Sequence, residues 1–202
     1  MSSSQPPARA PSSARERILH AAQTLFYEQG IRSTGIDRVI AEAKVTKVTV
    51  YRHFPSKDDL IRAYLEQRHA AWTEWFRETL LAFRSAQTDQ ERRDAPLAPL
   101  LATARVWFTG STFRGCAFAN AIAEAGPDLP AIGAIATRHK QEVRDAIATL
   151  LPAGDAALAI AWAATLALDG AAVNAQRDPA SAEVALTGLR SLLDALTRSP
   201  IS

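Results

Sequence analysis

The sequence contains a single cysteine, Cys116, among its 202 residues. One thiol cannot close a disulfide within the chain or supply a cysteine-rich metal site, so we expect Cys116 to be a buried core residue. Hydrophobic residues make up 48% of the chain, which is enough for a core without covalent support. The composition therefore favours a protein of the reducing cytoplasm, and it leaves open whether Cys116 has a redox role.

Segments that would target or anchor the chain are also lacking. The first residues, MSSSQPPARAPSS, are polar and rich in proline and serine, whereas a secretory signal needs an apolar stretch. The longest apolar run, residues 156–168, has 13 residues, and a helix needs about 20 to span a bilayer. We therefore expect a disordered tail at residues 1–12, a buried helix at residues 156–168 and no membrane partner.

Strand-like alternation and clusters of catalytic or metal-binding side chains cannot be recognised either. His20, His69 and His139 are scattered, and none has a persuasive set of His, Asp or Glu neighbours at helical spacing. No acid, base or nucleophile is spaced to serve another. The sequence thus predicts an all-α protein of about nine helices that needs no metal or cofactor and is not an enzyme.

The chain does have a concentration of positive charge near its N-terminus. The net charge is only +2, yet residues 1–70 hold 11 Lys and Arg against 7 Asp and Glu, and residues 32–57 hold 6 against 2. A local basic patch on a nearly neutral protein indicates focused contact with a polyanion.

The basic patch coincides with two short amphipathic helices. One face of the first collects the apolar residues Ile36, Val39, Ile40 and Ala43. Thr34 is placed to cap the N-terminus of this helix. After a break at residues 44–46, a second helix over residues 47–54 turns Val50 and Phe54 toward the core. Two short helices joined by a tight turn are what a helix-turn-helix needs, and its second helix enters the major groove.

The outward face of the second helix carries side chains that suit DNA. Arg52 can donate to guanine edges, Thr49 can bond a base or a phosphate, and Val48 can touch a thymine methyl. The residues that suit phosphate oxygens are Lys47, Tyr51 and His53 beside them, with Thr34 and Lys57 outside the helix.

The run KVTKVTVYRHFPSKDDL, at residues 44–60, resembles the signature of the tetracycline-repressor (TetR) family of bacterial transcriptional regulators, and the preceding GIRSTGIDRVIAEA resembles the adjoining segment of that family. The match covers roughly residues 15–62. The resemblance implies phosphate or base contacts from Thr34, Thr46, Lys47, Thr49, Tyr51, His53 and Lys57. Lys44 departs from the pattern, because the family usually has glycine there. In a left-handed backbone, lysine costs about 1 kcal/mol relative to glycine, and it adds a positive charge beside the DNA.

The remainder of the chain resembles the family loosely, through FRGCAFANAIAEAG and LDGAAVNAQ. The resemblance implies an effector-binding region and a four-helix dimer interface built from two late helices of each protomer. The residues that we expect to line an apolar effector pocket are Trp72, Phe76, Trp107, Phe118, Asn120, His139, Trp162 and Asp169, although the aromatic ones as a group fit a plain core better. Those expected at the dimer interface are Ala161, Leu168, Ala172, Leu186, Leu189, Leu193 and Leu196.

The predicted organisation is a tail at residues 1–12, a three-helix helix-turn-helix domain at 13–56, a connecting helix at 57–84 and an effector-binding and dimerisation domain at 85–202. We expect a cytoplasmic homodimer that represses transcription and is released from a palindromic double-stranded DNA operator by a small, apolar effector. A ligand-independent dimeric DNA-binding protein is one alternative, and a small α-helical enzyme is another. Ligand-dependent loss of operator binding distinguishes the repressor from the ligand-independent protein, and turnover of a bound compound would favour the enzyme.

Overall fold

The computed structural model describes residues 13–198, and each regular element in that range is an α-helix. The helices are α1 (Ala14–Gln29), α2 (Ile36–Ala43), α3 (Lys47–His53), α4 (Lys57–Ser85), α5 (Asp89–Asp94), α6 (Ala98–Phe108), α7 (Ala117–Ala125), α8 (Ala131–Ala148), α9 (Asp155–Ala175) and α10 (Pro179–Arg198). The all-α prediction is confirmed, with one helix more than expected. The predicted tail at residues 1–12 lies outside the described residues.

The additional helix, α5, lies in a polar stretch of the chain. Its start is fixed by a capping box, in which the Glu91 backbone N–H donates to Thr88 Oγ1 at 3.2 Å and the Thr88 backbone N–H donates to Glu91 Oε2 at 2.7 Å. No residue of α5 is buried. A helix without a buried face has no apolar periodicity, which is why the hydrophobic pattern did not predict it.

The described chain divides into two compact units. The N-terminal unit consists of residues 13–71 and 117–138, so it holds α1 to α3, the first half of α4, α7 and the beginning of α8. The C-terminal unit consists of residues 72–116 and 139–198. The predicted boundaries at residues 56 and 84 do not follow this division, because α7 groups with the N-terminal helices.

The core of the N-terminal unit is built on α1. Ser13 and Glu16 form a capping box at its start, and Gly30, with φ 91°, ends it. Its inner face buries Leu25 and Phe26, and the Phe26 ring meets Tyr64 of α4 edge to face at a centroid distance of 5.6 Å. On this base α1 packs against both α2 and α3.

Helix α9 differs from the buried helix that we had expected. Within residues 13–198 it is the one helix that is long and apolar enough to cross a bilayer, over Ala156–Ala175, and 33% of the apolar window is buried in the chain. The prediction of a buried helix that is too short to span a bilayer is wrong, since the apolar span continues past Asp169 and only 33% of its window is buried. Helices that pack against protein pass the same test, so this property alone does not indicate a membrane.

Candidate nucleic-acid interface

The turn between α2 and α3 is closed by a left-handed residue. Lys44 has φ 52° and ψ 51°, and its backbone N–H donates to Ala41 O at 3.2 Å, while the Val45 N–H donates to Ile40 O at 3.3 Å. This pair of bonds is a Schellman motif, which satisfies the last carbonyls of α2 and reverses the chain within two residues. The left-handed geometry that the family's glycine would favour is present here with a lysine.

Helix α3 starts directly after this turn and is anchored by its inner face. Thr46 is the N-cap: its hydroxyl accepts the Thr49 backbone N–H at 3.2 Å and lies 2.8 Å from the Thr49 hydroxyl. Val50 and Phe54 are 0% and 3% exposed. Their burial turns the opposite side of the helix to solvent.

The outward side of α3 and its turn gathers most of the residues predicted to contact DNA. Lys44, Thr46, Lys47, Val48, Tyr51 and Arg52 are exposed, and Thr49 and His53 are half-buried. Val48 is the extreme case, because 77% of its surface faces solvent. It stands among the cationic side chains of this surface, where it is open to contact.

The charges on this surface are not neutralised by strong ion pairs. Lys47 Nζ lies 4.0 Å from Asp37 Oδ1, and both side chains are largely exposed. An exposed pair at that distance contributes little, so the Lys47 ammonium remains able to bind a phosphate.

Thr34 does not belong to this surface. Its side chain is fully buried, and its hydroxyl donates to the carbonyl oxygens of Gly30 at 2.7 Å and Leu25 at 3.3 Å. The N-cap of α2 is Gly35, without a side-chain hydrogen bond. The predictions that Thr34 caps α2 and contacts DNA are therefore wrong, since its hydroxyl instead binds free carbonyls at the end of α1.

Lys57, the remaining predicted contact, is half-buried at the start of α4. Its Nζ donates to Ile31 O, 2.7 Å away, in the loop between α1 and α2. Sequence reasoning missed this structural role, because the 26 residues between the two partners leave no periodic signal.

Known proteins resemble this chain at two levels. The family described as bacterial regulatory proteins, tetR family, matches residues 18–64. The HTH-type transcriptional repressor SCO4008 of Streptomyces coelicolor is 36% identical over 61 residues, which are 30% of this chain and 32% of that protein. The solved structure of SCO4454, a TetR-family transcriptional regulator from Streptomyces coelicolor, is 32% identical, covers 92% of this chain and 96% of its own, and has a TM-score of 0.72.

The chain belongs to the TetR family. A second solved structure, a putative TetR transcriptional regulator (sav143) from Streptomyces avermitilis, covers 92% of this chain and 98% of its own at 27% identity, with a TM-score of 0.68. The resemblance seen in the motif is thus confirmed along most of the chain. The alignment spans about a third of the length of the curated relatives, 32% of SCO4008 and 34% of the regulator UidR of Escherichia coli.

In the C-terminal unit of this TetR-family chain, half of the predicted pocket residues form one aromatic cluster. The Trp72 ring stacks on Phe76 at 4.8 Å and meets Trp107 and His139 at 5.1 and 5.0 Å, as centroid distances. All four side chains are buried. Such an assembly is rigid and apolar, with the imidazole as its polar member.

The other predicted pocket residues lie elsewhere. Phe118 and Asn120 are on α7 in the N-terminal unit, where the Phe118 ring meets His69 edge to face. Trp162 is 39% exposed, and the Arg144 guanidinium lies 5.2 Å from the centre of its ring. That the eight residues line one pocket stays a prediction.

Asp169, the last of the eight, forms an ion pair with Lys140, whose Nζ also donates to Cys116 Sγ at 3.6 Å. Burial lowers the pKa of the Lys140 amine. Electrostatic attraction and hydrogen bonds to Cys116 and Asp169 raise it by more, so this pKa lies above its usual value. Cys116 is buried, as expected. No group of three or more His, Cys, Asp or Glu side chains suited to a metal occurs within residues 13–198.

The residues predicted at the dimer interface point into their own chain. Those less than 4% exposed are Ala161, Leu168, Ala172, Leu186, Leu189 and Leu193, and Leu196 is half-buried. Helices α9 and α10 pack on each other through this stripe. The six buried side chains have almost no surface left to lose to a second chain, whereas Leu196 stays a predicted interface residue.

Proposed function

We propose that this TetR-family chain is a homodimeric transcriptional repressor that binds a palindromic DNA operator through α3 and releases it on binding a small apolar effector. The observation that carries the proposal is the asymmetry of α3, whose inner residues are closed off from solvent while its outer side presents cations, hydroxyls and an exposed valine. An exposed helix of this composition after a tight turn fits the major groove. The protein would act in the cytoplasm.

The outer side of α3 supplies both kinds of DNA contact. Arg52 and Val48 are exposed where a recognition helix meets base edges, so they are assigned to guanine and to a thymine methyl. Lys44 and Lys47, at the turn and the helix start, are assigned to phosphates. Residues with the same phosphate role are Thr46, Thr49, Tyr51 and His53.

A second copy of the chain would dock on the outer face of α9 and α10. This face is apolar and exposed, with Leu166 67% and Val184 74% exposed. A groove between the two helices is lined by these residues together with Gly170 and Gly188, and a Cβ built at either glycine would meet no atom within 4 Å. Apolar walls around a floor of small residues let a partner helix approach closely. This face replaces the buried stripe as the proposed interface.

The effector is assigned to the C-terminal unit, where the cluster around Trp72 would supply flat apolar contacts and His139 a polar one. An effector can release the DNA only as far as it binds the released state more tightly than the bound state. A compound that is bound but leaves operator affinity unchanged would instead support a ligand-independent DNA-binding protein.

The proposal is tested by titrating the protein with the DNA that flanks its own gene over a series of salt concentrations. Lys47→Ala removes one phosphate contact from each protomer of the dimer, so it should weaken binding and reduce the slope of log affinity against log salt by about 1.8. Arg93→Ala, which removes a positive charge from exposed α5, is the matched control and should leave the slope unchanged. Equal slopes for the wild type and Lys47→Ala would contradict the assignment.

A panel of hydrophobic compounds added to the same titration tests the second half of the proposal. Release of the DNA by at least one compound is expected for the repressor.

A further inference from the structure

The loop that leads from α1 into the helix-turn-helix runs against the end of α7. Gly30 is in a positive-φ conformation, and a Cβ at this position would lie 2.8 Å from a carboxylate oxygen of Glu124. Both segments belong to the N-terminal unit, although 92 residues separate Arg32 from Glu124 along the chain. A side chain at residue 30 would require the Glu124 carboxylate to shift, because the loop backbone and this carboxylate lie close together.

Three hydrogen bonds from Arg32 hold this contact. Its backbone N–H donates to Glu124 Oε2 at 3.1 Å, its Nε donates to the backbone carbonyl of Glu124, and its Nη2 donates to Asp128 Oδ2 at 2.6 Å. Arg32 therefore binds both the last turn of α7 and Asp128, three residues beyond the end of that helix. A cation at the C-terminal end of a helix is also favoured by the helix dipole.

The same loop is held from its other side by Lys57 of α4, which donates to Ile31 O at 2.7 Å. Ile31 itself is buried. Consecutive residues of the loop are thus bonded to two different helices. The position of the loop, and with it the entry into α2, depends on where α4 and α7 lie.

Along the chain, helix α7 is directly connected to the C-terminal unit. The chain leaves the C-terminal unit after Cys116, enters α7, and returns to that unit at His139 in α8. Arg32 binds at the bend between these two helices, near the midpoint of the excursion. A displacement of α7 would therefore also displace Arg32 and the loop that contains it.

We propose that Arg32 is a positioning residue whose bonds to Glu124 and Asp128 form a latch that holds the helix-turn-helix in its DNA-binding orientation. The inference rests on the proposed operator binding and names its regulation, since an effector that shifts α7 would act through this latch. It also gives Arg32, a cation of the basic patch, a role other than contact with DNA.

The alternative is that Arg32 binds a phosphate of the DNA. Substitution of its acidic partners, Glu124 and Asp128, distinguishes the two roles. If Arg32 bound a phosphate, then removing Glu124 and Asp128 would free its guanidinium and remove two negative charges near the DNA, so affinity would rise or stay the same. If the latch holds the orientation, then removing the acids weakens binding although the protein has become more positive.

The experiment compares operator affinity for Arg32→Ala, Arg32→Lys and the double variant Glu124→Ala/Asp128→Ala, with Glu28→Gln as a control. The latch predicts that all three weaken binding by about threefold to tenfold, in the range of exposed charge-assisted contacts, and that combining Arg32→Ala with the double variant adds nothing further. Arg32→Lys keeps the charge but cannot make the paired side-chain bonds. Glu28→Gln, at an exposed position of α1, removes a negative charge that takes no part in the latch.

Amide hydrogen exchange of residues 30–35 in the free protein provides a readout that needs no DNA. The double variant should exchange faster than the wild type in this loop, because the Arg32 N–H has lost its acceptor. Unchanged exchange, wild-type affinity of Arg32→Lys, or tighter binding by the double variant would each overturn the latch. If the wild type failed to bind DNA while exchange in the loop rose as expected, the contact would stand and the proposed function would fail.

Discussion

Lys57 and Ile31 are joined by a hydrogen bond from Nζ to the backbone carbonyl oxygen, 2.7 Å long and partly buried. This bond gives Lys57 a structural role, and the phosphate contact expected from the motif stays a prediction. The substitution Lys57→Met keeps the aliphatic stem and removes the donor. We expect the free energy of unfolding to fall by about 1–2 kcal/mol, the cost of losing a charge-assisted bond to a shielded carbonyl. Urea denaturation followed by circular dichroism measures this change.

Lys47→Met is the matched control for that measurement. Lys47 is exposed and makes only a 4.0 Å pair with Asp37, so its loss should leave stability within about 0.5 kcal/mol of the wild type. Equal losses of stability in the two variants would show that the bond to Ile31 contributes nothing specific.

Replacement of Lys44 by glycine should increase the stability of the protein. Lys44 is the one non-glycine residue with positive φ among residues 13–198, and glycine occupies a left-handed backbone without the strain of a Cβ. We expect Lys44→Gly to raise the free energy of unfolding by about 0.5–1 kcal/mol, while losing a cation beside the DNA. Lys44→Ala keeps the strain and loses the charge, so it should weaken DNA binding with no gain in stability. A Lys44→Gly protein that is less stable than Lys44→Ala would refute the strain argument.

The proposed dimer face predicts different results for two leucines on neighbouring helices. Leu166, on α9, is 67% exposed, whereas Leu189, on α10, is 1% exposed. Leu166→Glu should yield folded monomers, because it places a charge in the apolar groove without disturbing the core. Leu189→Glu should unfold the C-terminal unit, because it buries an unpaired charge within one chain. Light scattering gives the mass of each species, and circular dichroism gives its helix content.

Leu81→Glu is the control for this pair. Leu81, on α4, is 55% exposed and does not line the groove between α9 and α10. Its substitution should leave the oligomeric state unchanged. A Leu166→Glu protein that remained dimeric would place the interface elsewhere on the surface.

The local features of the N-terminal helices could be predicted because each has a short-range cause. The capping box of Ser13 with Glu16 and the glycine at residue 30 delimit α1, and the spacing of Val50 and Phe54 orients α3. These signals lie within one or two turns of the residues that they govern. The outward positions of Lys47, Val48 and Arg52 follow directly from them.

Side-chain bonds to backbone carbonyls and contacts distant in sequence were predicted poorly. Thr34 and Lys57 were both assigned to DNA, yet each binds a carbonyl of the chain itself. Nothing in the local sequence separates a hydroxyl or ammonium that faces DNA from one that faces a free carbonyl. The carboxylates that engage Arg32 are 92 and 96 residues away, which removes them from any periodic pattern.

The dimer face was misassigned for a related reason. Helix α9 is apolar on more than one side, since Leu168 is buried while Leu166 is exposed. Periodicity identifies apolar stripes, but it does not tell which stripe packs within the chain and which is left for a partner. That distinction required the position of α10.

The central claim is that two copies of α3 read a symmetric operator, and selection from a library of random DNA duplexes tests it most directly. We expect the wild type to enrich an inverted repeat whose half-sites lie about 34–36 Å apart, one turn of DNA. Arg52→Ala should relax the preference at one position in each half-site, at a cost of about 1–3 kcal/mol in discrimination. Enrichment of sequences without a repeat, or of none, would contradict the account.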